Sequence, residues 1–229
     1  MPPLMKLSAI TLDCPDPLAL AAFYRQATGC ALHPESDADF AALRGEAGLS
    51  ATEITSARLR LRAARDADRD GFIELQTDPE VRLHLGGPRP RSAVEQYLDA
   101  LGVPRVTDEP GTFVIADRAD DHLLGTLLLH PRPADLPGHV TEQGGELELT
   151  YVLRREAWGA GLAFEAATAA LRTAASELPD QPVLIVTQTA NTRSLALAAR
   201  LGFRRVGTFE AYDAEQTLAV ADLHAFLAG

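Results

Sequence analysis

Polar and hydrophobic residues alternate along several short stretches of the chain, which is the pattern of β-strands with one buried face. In residues 145–153 the alternation places Glu146, Glu148 and Thr150 on one face and apolar side chains on the other. In residues 58–62 arginine and leucine alternate strictly, so the arginines share a face. Apolar runs predict further strands at 113–116, 123–129, 183–187, 204–211 and 218–223.

Other stretches repeat their apolar residues at helical spacing, and these stretches lie between the predicted strands. Helices are expected at 66–76, at 92–101, from Gly161 to about residue 178, and at 191–201. Ser92 is followed three residues later by Glu95, which predicts a capping box at the start of the second helix. Because strands and helices intermix, the fold class is α/β (α+β) with a mixed sheet.

The first 51 residues form a separate predicted segment, because the small and polar stretch 45–56 places a boundary near Thr52. The segment is expected to contain a strand at 6–12, a proline-rich turn, a helix closed by Gly29 and a second strand at 40–43. Fifty residues of this kind bury too little apolar surface to be stable alone. The predicted domains are therefore 1–51 and 52–229.

Charge excludes several classes of function. The chain has 229 residues and a formal net charge of −11, which argues against nucleic acid as a partner, because such binding needs a clustered basic face. Lys6 is the only lysine, and this rules out a Walker phosphate loop, whose motif ends in Gly-Lys-Ser/Thr.

Cys14 and Cys30 are the only cysteines, so a disulfide framework and a cysteine zinc site are excluded. The six histidines show no metal-ligand spacing, and no metal is predicted. No stretch approaches the roughly 18 uninterrupted apolar residues of a membrane span, and the first residues show no signal peptide. The chain is expected to be cytoplasmic, with no membrane partner.

One strand–turn–helix unit indicates a binding site for an anion. The strand that carries Glu148 leads into the turn Gly159-Ala160-Gly161, and the alanine-rich helix follows. Glycines allow close backbone approach, and the first turn of a helix presents free N–H groups and a positive dipole end. A pyrophosphate is the natural occupant of such a turn. Downstream in order come the sequences Asn191-Thr192-Arg193-Ser194 and Arg200-Leu201-Gly202-Phe203.

With these motifs in order, residues of about 55–225 resemble the GNAT superfamily of acyl-CoA-dependent N-acyltransferases. They are most similar to the branch that includes the ribosomal-protein N-terminal alanine acetyltransferases. The resemblance implies a mixed sheet of about seven strands, splayed around acetyl-CoA as cosubstrate. The implied cofactor-binding residues are Tyr151, Val152 and Leu153 for the pantetheine arm, Trp158, Gly159, Ala160, Gly161, Leu162 and Ala163 for the pyrophosphate, and Asn191. One departure is Glu156, where the family usually has Gln or Arg.

The resemblance also implies catalytic roles. Glu148 matches the family's strand acid and is the first choice as base, with Glu146 on the same face as a weaker candidate. Asp213 matches a carboxylate proposed as base in the N-terminal alanine branch. Ser194 matches a serine near the sulfur, while the family's usual tyrosine acid is replaced by Ala198.

Each candidate also has a structural alternative. Glu148 could be a solvent-facing strand residue, and Asp213 a turn residue before the last strand. Ser194 could make a hydrogen bond within a helical turn, while Asn191 could be a helix N-cap, a role compatible with cofactor binding. His84 lies where the family's acceptor site is found, near the first two helices.

The N-terminal segment resembles the opening of a glyoxalase/bleomycin-resistance domain, truncated to a βαβ appendage. The resemblance rests on the sequence from Leu12 to Pro17, on Ala22-Phe23-Tyr24 and on Gly29. Metal-binding members carry a histidine ligand at the position of Ala9, so this segment is expected to bind no metal.

These expectations combine into an acetyl-CoA-dependent N-acetyltransferase that transfers an acetyl group to a primary amine. The amine, on a protein N-terminus or a small molecule, attacks directly in a ternary complex. Two alternatives stay open: a non-catalytic acyl-CoA-binding module, and a glyoxalase-type small-molecule binding protein. The oligomeric state is open, with a homodimer as one option.

Overall fold

The computed structural model describes residues 31–32, 43–44, 49 and 51–228. The chain divides into two compact units, Met1–Ala47 and Gly48–Gly229.

In the first unit, strand β1 (Ala31–Leu32) pairs antiparallel with strand β2 (Leu43–Arg44). The strand expected at 40–43 overlaps β2 at Leu43. The strand expected at 6–12, the helix closed by Gly29, both cysteines and Ala9 lie outside the described residues.

The second unit is built on one sheet of eight strands in the order β3-β4-β5-β6-β7-β8-β10-β9. Its strands are β3 (Ile54–Thr55), β4 (Leu59–Arg62), β5 (Thr112–Asp117), β6 (Leu123–Pro131), β7 (Leu147–Leu153), β8 (Pro182–Gln188), β9 (Arg204–Ala211) and β10 (Ala214–Asp222). All neighbours are antiparallel except β7 and β8, which are parallel. The predicted mixed sheet is confirmed, with β3 as a strand too short to show alternation in the sequence.

Two helical layers cover the two faces of this sheet. The helices of this unit are α1 (Arg69–Thr77), α2 (Arg91–Leu101), α3 (Leu162–Glu177) and α4 (Thr192–Arg200). Alternation along β5 shows the division: Phe113 and Ile115 join the core cluster that contains the α3 alanines, whereas Val114 and Ala116 join the cluster of α1 and α2. Within the described residues, no helix is long and apolar enough to cross a membrane.

The predicted capping box at Ser92 is wrong. Helix α2 begins at Arg91, with Pro90 at the N-cap position and no capping side chain. Glu95 does not reach back to the helix start as a box requires, because its carboxylate accepts a hydrogen bond of 2.8 Å from Arg91 Nε. The last strand also differs from its predicted bounds. It begins at Ala214, because the polar residues before Leu218 pair with β8 and β9 although they show no apolar alternation.

The arginine face predicted for β4 is only partly exposed, because Arg62 is buried in an ion pair. Its guanidinium donates to both carboxylate oxygens of Asp68, at 2.8 and 3.0 Å, and also to Asp121. The hydrogen bond to Asp68 raises the pKa of Arg62 above its ordinary value, in spite of burial. The ion pair holds Asp68, the residue just before helix α1, against the end of strand β4.

Asp68→Ala should lower the free energy of unfolding by about 3 kcal/mol, because it leaves a buried guanidinium with one carboxylate fewer. Urea denaturation at neutral pH measures this loss. Asp66→Ala is the matched control, since Asp66 is exposed, and it should stay within about 0.5 kcal/mol of the parent. Equal stability of the two variants would contradict the structural role of the pair.

Candidate active site

The sheet opens into a V between its two parallel strands. β7 and β8 pair only through Leu147 with Val183 and Glu148 with Leu184. Beyond that point both strands continue without pairing to each other, while β7 remains paired with β6 as far as Leu153. The β8-facing edge of residues 149–153 therefore offers unpaired backbone groups, which an extended ligand can bind as an added strand would.

A glycine turn lies beyond the open end of β7. Gly159 and Gly161 have φ angles of +77° and +76°, a left-handed conformation that favours glycine. Helix α3 starts at Leu162, so its first N–H groups have no partner within the helix. Trp158 ties the turn to the strand, because its indole Nε1 donates to the Leu153 carbonyl at 2.9 Å. The turn therefore fits an anionic group.

A carboxylate in the first turn of helix α3 helps to hold the glycine turn 159–161 in place. Glu165 accepts hydrogen bonds of 2.7 Å from Ser56 Oγ, from the Arg58 backbone and from Arg58 Nε. Burial alone would raise the pKa of Glu165, but these hydrogen bonds hold it below its ordinary value. Arg58 also donates to the Ala160 carbonyl at 3.0 Å. The network joins the start of the sheet to the glycine turn.

Basic side chains line a pocket of about 620 Å³ beside the turn. Arg58, Arg172 and Arg200 contribute to its wall, and the guanidinium of Arg200 lies 4.0 Å from the ring centre of Phe164. No pattern in the sequence indicates Arg172, because its place in the pocket wall depends on how helix α3 packs. Arg154, in the segment between β7 and the glycine turn, is paired with Glu74 and Glu156.

Glu148 is held by a buried arginine that sequence reasoning missed. Arg132 Nη1 donates to Glu148 Oε2 at 2.6 Å. The same guanidinium donates to the Pro137 carbonyl at 2.6 and 3.1 Å, and Arg132 is only 5% exposed. Within the described part of the chain, Oε1 of Glu148 has no hydrogen-bond partner and remains available to a ligand or a water molecule.

Glu146 shares a strand face with Glu148 but has a different environment. Its carboxylate accepts from the backbone N–H groups of Val140 and Thr141 at 2.8 and 2.6 Å, and from His139 Nδ1 at 2.5 Å. Burial would raise the pKa of Glu146, but these hydrogen bonds lower it to about 2. Glu146 is thus an anchor for the loop that precedes it, and a carboxyl group this acidic is a weak base.

Two connections bridge the arms of the V. The loop between β6 and β7 reaches β9, where a Cβ on Gly138 would lie 2.3 Å from Phe209 Cε1. On the segment after α1, His84 Nδ1 lies 3.1 Å from Gln188 Oε1 at the end of β8. The family resemblance places His84 near the acceptor site. In the structure His84 contacts the end of β8 through Gln188.

The residues at the start of α4 form a connected group. Asn191 is the N-cap: its Oδ1 accepts from the Ser194 backbone at 3.2 Å, and its Nδ2 donates to Thr187 Oγ1 at 3.1 Å. The hydroxyl oxygens of Tyr151 and Ser194 are 2.8 Å apart. The structure thus brings together Tyr151, Ser194 and Asn191 from β7 and α4.

Asp213 lies in the turn of the last hairpin. With Tyr212 it forms the two-residue turn between β9 and β10, and both residues have positive φ angles, +56° and +57°. Its side chain is exposed. The structure therefore places Asp213 as a turn residue, which was one of its two interpretations.

Glu146→Gln should destabilise the protein by about 3 kcal/mol at pH 7, because the lowered pKa of Glu146 measures how strongly folding favours its charged form. That stabilisation is present above the ordinary pKa of a glutamate and is lost as the pH falls towards about 2. Urea denaturation of both proteins should show the difference shrinking over that range. Glu142→Gln, on an exposed residue of the same loop, is the control, and a difference independent of pH would refute the assignment.

Comparison with known proteins agrees with this architecture. The family model described as an acetyltransferase (GNAT) domain matches residues 58–204. A GNAT-family acetyltransferase from Bacillus anthracis superposes with a TM-score of 0.60 at 18% identity, over 75% of this chain and 98% of the other. A spermidine N-acetyltransferase from Vibrio cholerae, in complex with CoA and spermine, has a TM-score of 0.55 at 16% identity, over 75% and 99% of the two chains.

The ribosomal L7/L12 alpha-N-protein acetyltransferase RimL superposes with a TM-score of 0.57 at 15% identity, over 74% of this chain and 93% of the other. These structural likenesses agree in fold with the splayed sheet, and the family model covers well over half of the sequence. The chain belongs to the GNAT acetyltransferase family.

Proposed function

We propose that the protein is an acetyl-CoA-dependent N-acetyltransferase that acts on a primary amine. The observation that carries the proposal is the V between β7 and β8, which leads directly to the glycine turn before α3. The unpaired edge of Tyr151, Val152 and Leu153 fits a pantetheine arm. The N–H groups from Gly159 to Ala163 fit a pyrophosphate, because they lie where a helix N-terminus favours negative charge. The backbone N–H of Trp158, also expected to bind the pyrophosphate, donates instead to the Arg155 carbonyl at 3.1 Å.

Bound acetyl-CoA supplies an activated acyl group to the site. The residues of the chain must remove a proton from the attacking amine as its nitrogen forms the new C–N bond. Glu148 suits this task, because Arg132 holds one carboxylate oxygen and leaves the other without a partner in the described structure. The proton passes to that oxygen, directly or through one water molecule, and then to solvent.

Acidic residues favour an acceptor that arrives as a cation. The β6–β7 loop and the β9–β10 hairpin, joined where Gly138 meets Phe209, contain no lysine or arginine in residues 133–144 and 206–216. Their exposed carboxylates belong to Asp135, Glu142, Glu210, Asp213 and Glu215. Such a surface attracts ammonium groups from solution. Both a polyamine, as in the spermine complex of the Vibrio cholerae protein, and a peptide N-terminus meet this description.

The function is tested by measuring thiol release from acetyl-CoA over a panel of polyamines, small primary amines and peptides with free N-termini. Turnover with any amine, with the acetylated amine identified by mass spectrometry, would support an N-acetyltransferase. Heat stabilisation by acetyl-CoA with no turnover on the whole panel would favour a non-catalytic acyl-CoA-binding module instead.

Gly161→Ala should weaken CoA binding by about tenfold, equivalent to about 1.4 kcal/mol. An alanine at this positive φ raises the energy of the folded backbone by about 1–2 kcal/mol. The turn is expected to rotate to relieve this strain, and its N–H groups would then point away from the ligand. Isothermal titration with CoA measures the change. Gly145→Ala is matched, because Gly145 has a φ of +78° and open space around it, so it should lose stability but not CoA affinity. Equal affinities in the two variants would argue against the turn as the pyrophosphate site.

Glu148→Gln should lower kcat by about 100-fold or more, the scale of a lost general base, with little change in the affinity for acetyl-CoA. Steady-state kinetics and CoA titration together separate the two effects. Glu95→Gln, at a half-buried position of α2, should leave both unchanged. An unaltered kcat in Glu148→Gln would remove Glu148 from the role of base.

A further inference from the structure

The face of the sheet that carries Glu148 continues across the β8 arm of the V. Residues that pair directly on neighbouring strands share a face, so Leu184 of β8 lies beside Glu148. Alternation along β8 places Val186 and Gln188 on this face as well, about 7 and 13 Å beyond Leu184. An acceptor that approaches Glu148 over this arm therefore lies along these side chains.

The strands beyond β8 extend this surface. Gln188 pairs with Gln216 of β10, and Gln216 pairs with Phe209 of β9. Val186 pairs with Leu218 of β10. We call the resulting surface the β8 floor, and it consists of Leu184, Val186, Gln188, Gln216, Leu218 and Phe209.

The β8 floor has no ionisable side chain. Its apolar members belong to one small core cluster, in which Leu184 and Leu218 are buried. Val186 and Phe209 are only half-buried, so they leave apolar surface accessible. A hydrocarbon group is favoured on such a surface, whereas a charged group would lose its water without gaining a counter-ion.

The carboxylates of Glu210 and Glu215 leave the other face of the sheet. These two residues pair with each other, one residue along from Phe209 and Gln216, so alternation turns them away from the floor. They can attract an ammonium group from solution, but they do not line the floor. Glu148 provides the negative charge at one end of the floor, and the floor meets whatever the amine nitrogen carries.

The far end of the floor is flanked by the two connections between the arms of the V, which contact Gln188 and Phe209. Both connections carry exposed apolar side chains: Leu83 and Leu85 on the segment after α1, and Val140 in the β6–β7 loop. Exposed apolar residues that gather around one site indicate a ligand with apolar surface. The segments around the floor thus share its apolar character.

We propose that the acceptor is a primary amine with an apolar group next to its nitrogen, and that the β8 floor binds this group. The inference rests on the proposed function. As the nitrogen forms the C–N bond, its proton passes to Glu148. The electron pair of the breaking C–S bond leaves with the sulfur, which takes a proton from solvent. Alkyl and arylalkyl amines share this chemistry with peptides whose first side chain is apolar. Polyamines do not, because their second ammonium would lie on the floor.

The test compares matched amines on the parent protein by steady-state kinetics with acetyl-CoA. Hexylamine and 1,6-diaminohexane have the same carbon chain and differ in the second ammonium. The kcat/KM should be about tenfold or more higher for hexylamine, because the floor offers the second ammonium no counter-ion. From butylamine to hexylamine, kcat/KM should rise about fourfold for each methylene that the floor covers. An equal or higher kcat/KM for the diamine would overturn the inference.

Val186→Asp places a carboxylate on the floor, about 7 Å beyond Leu184. It should lower kcat/KM for hexylamine and raise it for the diamine, which reverses the order of the two substrates. Val206→Asp makes the same exchange at an exposed position of β9 and should keep the parent order. Val186→Thr, which retains the shape of the side chain, should move the ratio in the same direction as Val186→Asp. A parent ratio in both folded Val186 variants would show that the floor does not bind the acceptor.

Peptides distinguish the two sources of such an amine. Turnover of hexylamine at least as fast as that of any peptide would support the inference with a small molecule as acceptor. Turnover confined to peptides, faster when the first residue is leucine than when it is aspartate, would support it with a peptide N-terminus. Equal rates for the two peptides, without turnover of hexylamine, would overturn it. Failure of every amine to react with acetyl-CoA would instead overturn the proposed function on which the inference depends.

Discussion

The candidate site depends on a hydrogen-bond ladder that stops early. Parallel strands normally pair along their shared length, but β7 and β8 pair at only two positions, Leu147 with Val183 and Glu148 with Leu184. Backbone N–H and C=O groups are strong donors and acceptors, and leaving them unpaired away from water costs free energy. The open stretch of β7 must therefore be satisfied by water or by a ligand. Because β6 occupies the other edge of β7, the free groups all face into the V.

Glu146, just before β7, and Glu148, within β7, have different roles because their hydrogen-bond partners differ. Glu146 is surrounded by donors from residues 139–141, so its charge is used to fasten the β6–β7 loop. Among the residues that the structure describes, Glu148 bonds only to the guanidinium of Arg132, which also binds the Pro137 carbonyl in that loop. The β6–β7 loop is therefore held at two points. Glu146 binds it directly, and Arg132, the partner of Glu148, binds its Pro137 carbonyl. A change in loop position is expected to reach Glu148 through Arg132, since one rigid guanidinium contacts both.

Patterns that are local in sequence predicted the elements of the site, and contacts between distant residues had to come from the structure. Period-two alternation was enough to place Glu146 and Glu148 on one face of a strand, and the glycines at 159 and 161 indicated the turn before α3. The ion pair of Arg132 with Glu148 and the contact of Tyr151 with Ser194 join separate elements, and no spacing rule encodes them. The prediction of a capping box at Ser92 was wrong for a local reason. Helix α2 begins at Arg91, directly after Pro90, and the Arg91 side chain donates to the carboxylate of Glu95.

The register of β7 connects these observations. Gly125 of β6 faces Leu153, and a Cβ on Gly125 would lie 2.2 Å from the Val152 carbonyl oxygen, so the two strands approach too closely there for any larger residue. This close approach favours one pairing of β6 with β7 over its neighbours. A slip of one residue would exchange the two faces of the strand. Glu148 would then turn towards the alanines of α3, and Tyr151 towards α1 and α2, away from Ser194. Under the proposed function Glu148 must face Arg132 and the acceptor, so the close approach at Gly125 supports the register on which the proposed base depends.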